Sequence, residues 1–279
     1  KVTKGGDLTI GFDGEAVGYA GEPSETVNYV SAHDNETLFD TYMLKSAPEN
    51  TIEDRCRMNH LATALVALGQ GIPFFHAGDE LLRSKSLDRD SYNSGDWFNR
   101  LDFSYETNNF GVGLPPWEKN EPRWEVHRPL LGDPTLKPER AHILAALHNM
   151  HMLLYIRRSS PLFRLRTAAD INARVTFCNT GPEALPGVIA MSAIDGSDAS
   201  PDLPVLDAAF QRIVTIFNAR PDEAELTIAD AAGAAFELHP VQAACNDALV
   251  RDSTFDVDSG LFTVPARTTA VFVVKRSLL

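Results

Sequence analysis

Residues Val27 to Asp40 read VNYVSAHDNETLFD, and this stretch decides the fold. A short apolar run, Val27 to Ser31, stops abruptly at His33, Asp34 and Asn35. Its length and its β-branched and aromatic content predict a strand. Three adjacent polar side chains at the C-terminal end would project from the rim of a sheet or barrel. In parallel α/β folds that rim is where chemistry sits. Asp and Asn also favour Asx turns and helix caps, so the three residues alone fit a plain turn equally well.

Downstream, Met58, Leu61, Ala62, Leu65 and Val66 recur at helical spacing from a start near Thr51 to Glu53, and Gly69-Gln70-Gly71 ends the run. Ile72-Pro73-Phe74-Phe75 reads as a short buried strand. Strand, helix and strand with a connection of this size predict a parallel βαβ unit. Upstream, the first 26 residues are glycine-rich and read as loop. From His76 to Lys137 runs a long polar stretch; such a length in a compact domain points to function or to order imposed by its own packing. Pro138 suits the first turn of a further helix, with Ile143, Leu144, Leu147, Met150 and Leu154 on one stripe.

From Ser159 the texture changes. Short strand-like runs follow one another at Val175–Phe177, Val188–Met191, Ile213–Phe217, Glu225–Ile228, Phe236–Leu238, Leu261–Val264 and Ala270–Val274, with Pro, Gly, Asn and Asp between them. That pattern predicts an antiparallel β-sandwich. The boundary falls between Arg157 and Phe163, giving domains at 1–158 and 159–279. Ser192 to Asp207 reads as a mobile loop, with Asp195, Asp198 and Asp202 solvated.

The net charge of −13 argues against nucleic acid and against an anionic membrane surface, and is compatible with a neutral substrate such as a sugar. Hydrophobic residues make up 44%, enough for a packed core. Three widely spaced cysteines (Cys56, Cys178, Cys245) form no disulfide framework and suit a reducing compartment. No apolar run approaches the roughly 20 residues that span a bilayer. His142, His148 and His151 lie on one helix without zinc-binding spacing. His76 reads as a hydrogen-bonded rim histidine rather than a ligand or base.

At Ser84 to Asn99, SKSLDRDSYNSGDWFN, the chain resembles the loop after the eighth barrel strand of pullulanase-type debranching enzymes. Val27 to Asp40 resembles the segment of that family ending in His-Asp-Asn, and Gly71 to Glu80 its eighth strand. Asn108 to Pro115, Ser160 to Leu165, Asn179 to Pro182 and Val264-Pro265 extend the likeness, which is to the plant and algal limit dextrinases of the α-amylase superfamily. The resemblance implies an α/β part followed by an all-β part: the C-terminal portion of a (β/α)8 barrel, with its seventh and eighth strands, then an antiparallel β-sandwich. It implies hydrolysis of α-1,6 branch links in limit dextrins with retention of configuration, one carboxylate attacking and another protonating the leaving oxygen.

By that resemblance Asp34 is the third carboxylate, which stabilises the oxocarbenium-like transition state, and His33 binds hydroxyls of the sugar being cleaved. Asn35, Asp88, Arg89, Asp90 and Tyr92 are the further candidates for sugar contact, the alternative for Asp88 to Tyr92 being a network that stiffens the loop. Trp97 and Phe98 read as loop packing before sugar stacking, and Trp117 and Trp124 as weaker stacking candidates. The Arg-x-Asp nucleophile segment and the acid Glu of the family do not occur. The chain therefore reads as part of a longer enzyme, inactive alone. Its expected partners are an α-glucan and the missing N-terminal part, which would cover open sheet edges. The chemistry calls for no cofactor; the family implies a structural calcium in the full-length enzyme at no assignable site. The likeness also implies a plastid location. A non-catalytic glucan-binding or interaction module of the same fold is the competing reading, and the Ser84 to Asn99 loop disfavours a branching or α-1,4-specific enzyme.

Overall fold

The computed structural model describes residues 20–276. The loop expected over the first 26 residues lies, up to residue 19, outside them. Two compact units divide the chain. One gathers the described residues up to Asn28, Ala67–Pro73 and the chain from Met152; the other gathers Tyr29–Val66 and Phe74–His151.

The chain enters through β1 (Val27–Asn28), then α1 (Leu38–Lys45), α2 (Ile52–Leu68) and β2 (Ile72–Pro73). In the first unit β1 and β2 pair in parallel, Val27 opposite Ile72 and Asn28 opposite Pro73. The parallel pairing expected from the sequence is present, but each strand is only two residues long. Pro73 has no N–H to carry the ladder further. Gly71 sets the approach: its φ is +95°, and a Cβ there would lie 2.3 Å from Thr26 Oγ1. Arg157 completes the end of α2, its guanidinium donating to the carbonyls of Ala67 (2.8 Å), Gly69 (2.9 Å) and Gly71 (3.0 Å). A cation at a helix C-terminus satisfies orphan carbonyls and suits the helix dipole.

In the second unit α3 (Trp124–Gly132) and α4 (Arg140–Ser159) up to His151 follow the long loop, and α4 starts just after Pro138. Phe39 and Met43 of α1 and Cys56 of α2 pack with Leu82, Leu87 and Phe110, so the loop supplies much of this core itself. Burial pushes the Cys56 thiol up to about 12. The α1 helix was not expected. Thr37 caps it, its side chain accepting from Asp40 N–H.

Beyond α4 and α5 (Ala168–Arg174) lie two antiparallel sheets within the first unit. The larger has the order β3-β4-β5-β10-β7, from Val175–Phe177, Val188–Ile194, Phe210–Asn218, Thr268–Lys275 and Phe236–Leu238. The smaller has the order β6-β9-β8, from Ala224–Thr227, Leu261–Val264 and Thr254–Asp256. Their inward residues share one core: Val188, Val214, Ile216 and Phe272 from the larger sheet, Ala224, Phe262 and Val264 from the smaller. Phe262 stands at its centre, with ring centroids of Phe255, Phe236 and Phe272 at 4.6, 5.3 and 5.0 Å.

The reading of Ser192 to Asp207 as a loop fails at its start. β4 runs to Ile194, and Asp195 is buried rather than solvated. Asp195 accepts from Arg276 Nη2 (3.0 Å), from Arg174 Nε (3.4 Å) and from the N–H groups of Leu206 and Asp207. A buried carboxylate is held by such partners.

Candidate active site

The turn at His33-Asp34-Asn35 presents its side chains outward. Those of His33 and Asp34 are 85% and 81% exposed, with Nδ1 3.2 Å from Oδ1. Asn35 takes φ 60°. That left-handed conformation is one Asn adopts more readily than most residues. Asp34 and Asn35 line an open polar cleft of about 440 Å³ with Arg89, Asp90 and Lys119.

Asp88, next to the lining residue Arg89 in sequence, is fully buried. Its carboxylate accepts from Asp90 N–H (3.0 Å), Asn120 Nδ2 (3.1 Å) and Ser94 Oγ. These bonds fold the loop back on itself and leave Arg89 and Asp90 at the cleft. Lys119 Nζ lies 3.1 Å from Asp90 Oδ2. Tyr92 is 80% exposed and does not line the cleft. Trp97 is 61% exposed, not packed inside the loop as expected; its indole N–H donates to Val112 O at 3.3 Å. The Trp124 indole donates to Pro115 O at 3.0 Å.

Behind the turn, Asp40 and Ser84 to Leu87 have roles that sequence reasoning did not assign. Asp40, on α1, is fully buried and accepts from Ser84 Oγ, from Lys85 N–H (2.8 Å) and from Leu87 N–H (3.3 Å). Burial raises its pKa from 3.8 to about 6 against the lowering effect of these bonds. Lys85 is 1% exposed, and its ammonium donates to the carbonyls of Asn35 (2.7 Å) and His33 (3.2 Å). Leu82, Ser86 and Leu87 all hold positive φ without being glycine. Such strain persists only where the surroundings over-determine it, and it clusters at functional sites.

Asp79 is buried, accepting both from Ser31 Oγ (2.8 Å) and from His76 N–H (3.1 Å); burial raises it to about 6. His76 Nε2 faces the Arg83 guanidinium at 3.2 Å. Burial, then the nearby cations Arg83 and Lys85, lower His76 to about 4, so its ring is neutral and hydrogen-bonded near neutral pH. Among the described residues no group of three or more His, Cys, Asp or Glu side chains is placed to hold a metal ion. None of their helices is long and apolar enough to cross a membrane.

This arrangement of an outward carboxylate, a neighbouring imidazole and an arginine–carboxylate cleft falls in a chain that matches a known family. Residues 105–275 match the C-terminal domain of pullulanase-type α-1,6-glucosidases. The chain belongs to that family. It is 57% identical over 277 residues to the chloroplastic pullulanase 1 of Arabidopsis thaliana, covering 99% of this chain and 29% of that protein. A pullulanase of Klebsiella pneumoniae is 37% identical over 262 residues, covering 94% of this chain and 24% of that protein. The crystal structure of an apo pullulanase from Klebsiella pneumoniae matches with a TM-score of 0.91 at 37% identity, over 99% of this chain and 29% of that one. A maltotriose complex of the Klebsiella enzyme matches equally well. The chain thus spans less than a third of the length of these relatives.

Proposed function

We propose that this chain forms the C-terminal part of a retaining glycoside hydrolase that cleaves α-1,6-glucosidic branch links in limit dextrins, pullulan or starch. In this reading residues 1–158 complete a (β/α)8 barrel and residues 159–279 form a β-sandwich. The nucleophile and general acid come from chain outside these 279 residues. The observation that carries the reading is the shared cleft of Asp34, Asn35, Arg89 and Asp90, in a chain of this family.

Each group then has a chemical task. Departure of the branch oxygen leaves positive charge on the anomeric carbon and ring oxygen. The Asp34 carboxylate, fixed beside that charge, lowers the barrier more than it favours the neutral ground state. His33 hydrogen-bonds hydroxyls of the sugar in the cleaved subsite, and Asn35 adds an amide to the same ring. Arg89 and Asp90 bracket hydroxyls of a neighbouring glucosyl unit, with Tyr92 reaching the substrate from its exposed position. Asp88 acts through the loop it ties together. The rest of the barrel covers Val27 and Ile72 in one unit and Tyr29, Val30 and Phe74 in the other, all exposed in this chain. Exposed apolar side chains of this kind mark surfaces that meet a partner. The chloroplastic relative supports a plastid location.

The test is pullulan hydrolysis by the full-length enzyme carrying Asp34→Asn. Turnover should fall at least about 10²-fold with the fold intact, the cost of losing one preorganised electrostatic group. Near-normal turnover would remove Asp34 from the site and favour a glucan-binding module. The 279-residue chain assayed alone should release no reducing ends; release would contradict the division of catalytic groups.

A further inference from the structure

We infer that Lys85 is the positioning residue for the Asp34 carboxylate, holding the main chain on both sides of it. The inference rests on Asp34 being the stabilising group. Its own basis is the geometry behind the turn.

Asp34 and His33 have side chains open to solvent, 81% and 85% exposed, with Nδ1 3.2 Å from Oδ1. A carboxylate this exposed is not aimed by close packing around it. Its direction must come from its backbone, and the backbone there is not self-supporting: the next residue, Asn35, sits at φ 60°. The ammonium of Lys85 supplies the support. It donates to the carbonyl one residue before Asp34, at 3.2 Å, and to the carbonyl one residue after it, at 2.7 Å. Bonds from an ionised donor are shorter and stronger than neutral ones, and two of them spanning one residue fix its Cα–Cβ direction.

The lysine is itself held. Its side chain is 1% exposed, a rare state for this residue. Its N–H bonds the buried Asp40 carboxylate, which also takes Ser84 Oγ and Leu87 N–H. The flanking Leu82, Ser86 and Leu87 carry positive φ and are fully buried. A rigid, strained loop thus projects a single cation under a single turn. Burial lowers the pKa of Lys85, while Asp40, Asp88 and Glu36 oppose that shift. Burying a charge this way is costly for a fold and is explained if the charge has a target. The target on the page is the pair of carbonyls around Asp34.

The experiment uses the full-length enzyme with Lys85→Met, Asp34→Asn and both together. Lys85→Met keeps the aliphatic stem and removes both bonds. A misplacement of about 1 Å is worth roughly 10²-fold in rate, so kcat should fall about that much while KM changes by less than about threefold. Near-UV circular dichroism should show the enzyme folded at the assay temperature. In the Asp34→Asn background, Lys85→Met should cost nothing further, because a residue that acts only through Asp34 has nothing left to position. Wild-type kcat in folded Lys85→Met, or losses that multiply in the double variant, would overturn the inference. Near-normal turnover in Asp34→Asn would instead overturn the reading beneath it, a separate result. Should Lys85→Met fail to fold, Lys85→Gln takes its place. Its amide donates without charge, and an intermediate kcat supports the role while an unchanged kcat sinks it. Failure of both variants to fold would make Lys85 a framework residue and end the proposal.

Discussion

In the sandwich, β5 is laddered on both edges, to β4 and to β10, from Arg212 to Asn218. Its backbone groups are satisfied by other backbone, and its side chains are free to be apolar. Around Asp34 the chain has almost no ladder. There buried polar side chains meet backbone groups and one another: Asp40 takes Ser84 Oγ and two backbone N–H groups, Asp88 takes Ser94 and Asn120, and Asn108 donates to Leu82 O. Every buried backbone group needs a partner, and irregular chain must draw it from side chains. A region built in this second way can hold strained turns and outward-facing polar groups that a sheet cannot. The cost is dependence on a few buried charges.

The contrast can be broken most forcefully at Phe262. Truncating it to Ala removes the ring at the centre of the aromatic core and should cost about 3–5 kcal/mol in urea unfolding. A cost below about 1 kcal/mol would mean that apolar packing does not hold the sandwich.

Titration sharpens the contrast next. In the sandwich unit His239 Nδ1 accepts from Val241 N–H (3.2 Å), and its Nε2 faces Ser159 Oγ (3.0 Å). Burial lowers its pKa from 6.5 to about 4. As pH falls from 6.5 toward 4 the unfolded chain takes the proton first, so stability is lost on acidification. Near the site, Asp79 is raised from 3.8 to about 6. Between those values the folded state holds the proton more tightly, so its contribution is present in acid and lost as pH rises through about 6. Measured against His239→Asn, the wild-type advantage should shrink by about 3 kcal/mol from pH 7 to pH 4; measured against Asp79→Asn, it should shrink by about 3 kcal/mol in the opposite direction. Urea midpoints across that range decide it, and two slopes of the same sign would refute the pairing.

The smallest effect belongs to Lys119→Ala. Its contact with Asp90 is an ion pair with both side chains well exposed, so the urea midpoint should stay at the wild-type value in the same assay. A clear drop in midpoint would show that the loop carrying Asp90 relies on surface charge as well as on the buried Asp88.

Much of this was legible beforehand, and what was not has physical causes. The His-Asp-Asn turn shows because a strand-like run ends at three polar residues. The sandwich shows because its strands are separated by turn residues; the strand Thr254–Asp256 escaped because it carries only one large apolar side chain. The α1 helix carries a local signal in Thr37 and Asp40, three residues apart, that only the cap geometry makes plain. Lys85 could not be read at all. Its meaning lies in carbonyls 50 and 52 residues earlier, and no local pattern marks a lysine that will be buried. Asp195 was misread for the same reason, since its partners Arg174 and Arg276 lie 21 and 81 residues away.

Asp195 has one more consequence. The same carboxylate sits at the exit of β4 and grips the N–H groups of Leu206 and Asp207, where the chain returns to β5. The excursion between is therefore closed at its base, like a bag by a drawstring. Its length is decoupled from the sheets, and doubling it would add only about 0.6 kcal/mol of closure entropy. Epitope tags or fluorescent reporters grafted near Ala199 would leave the strand register of β4 and β5 undisturbed.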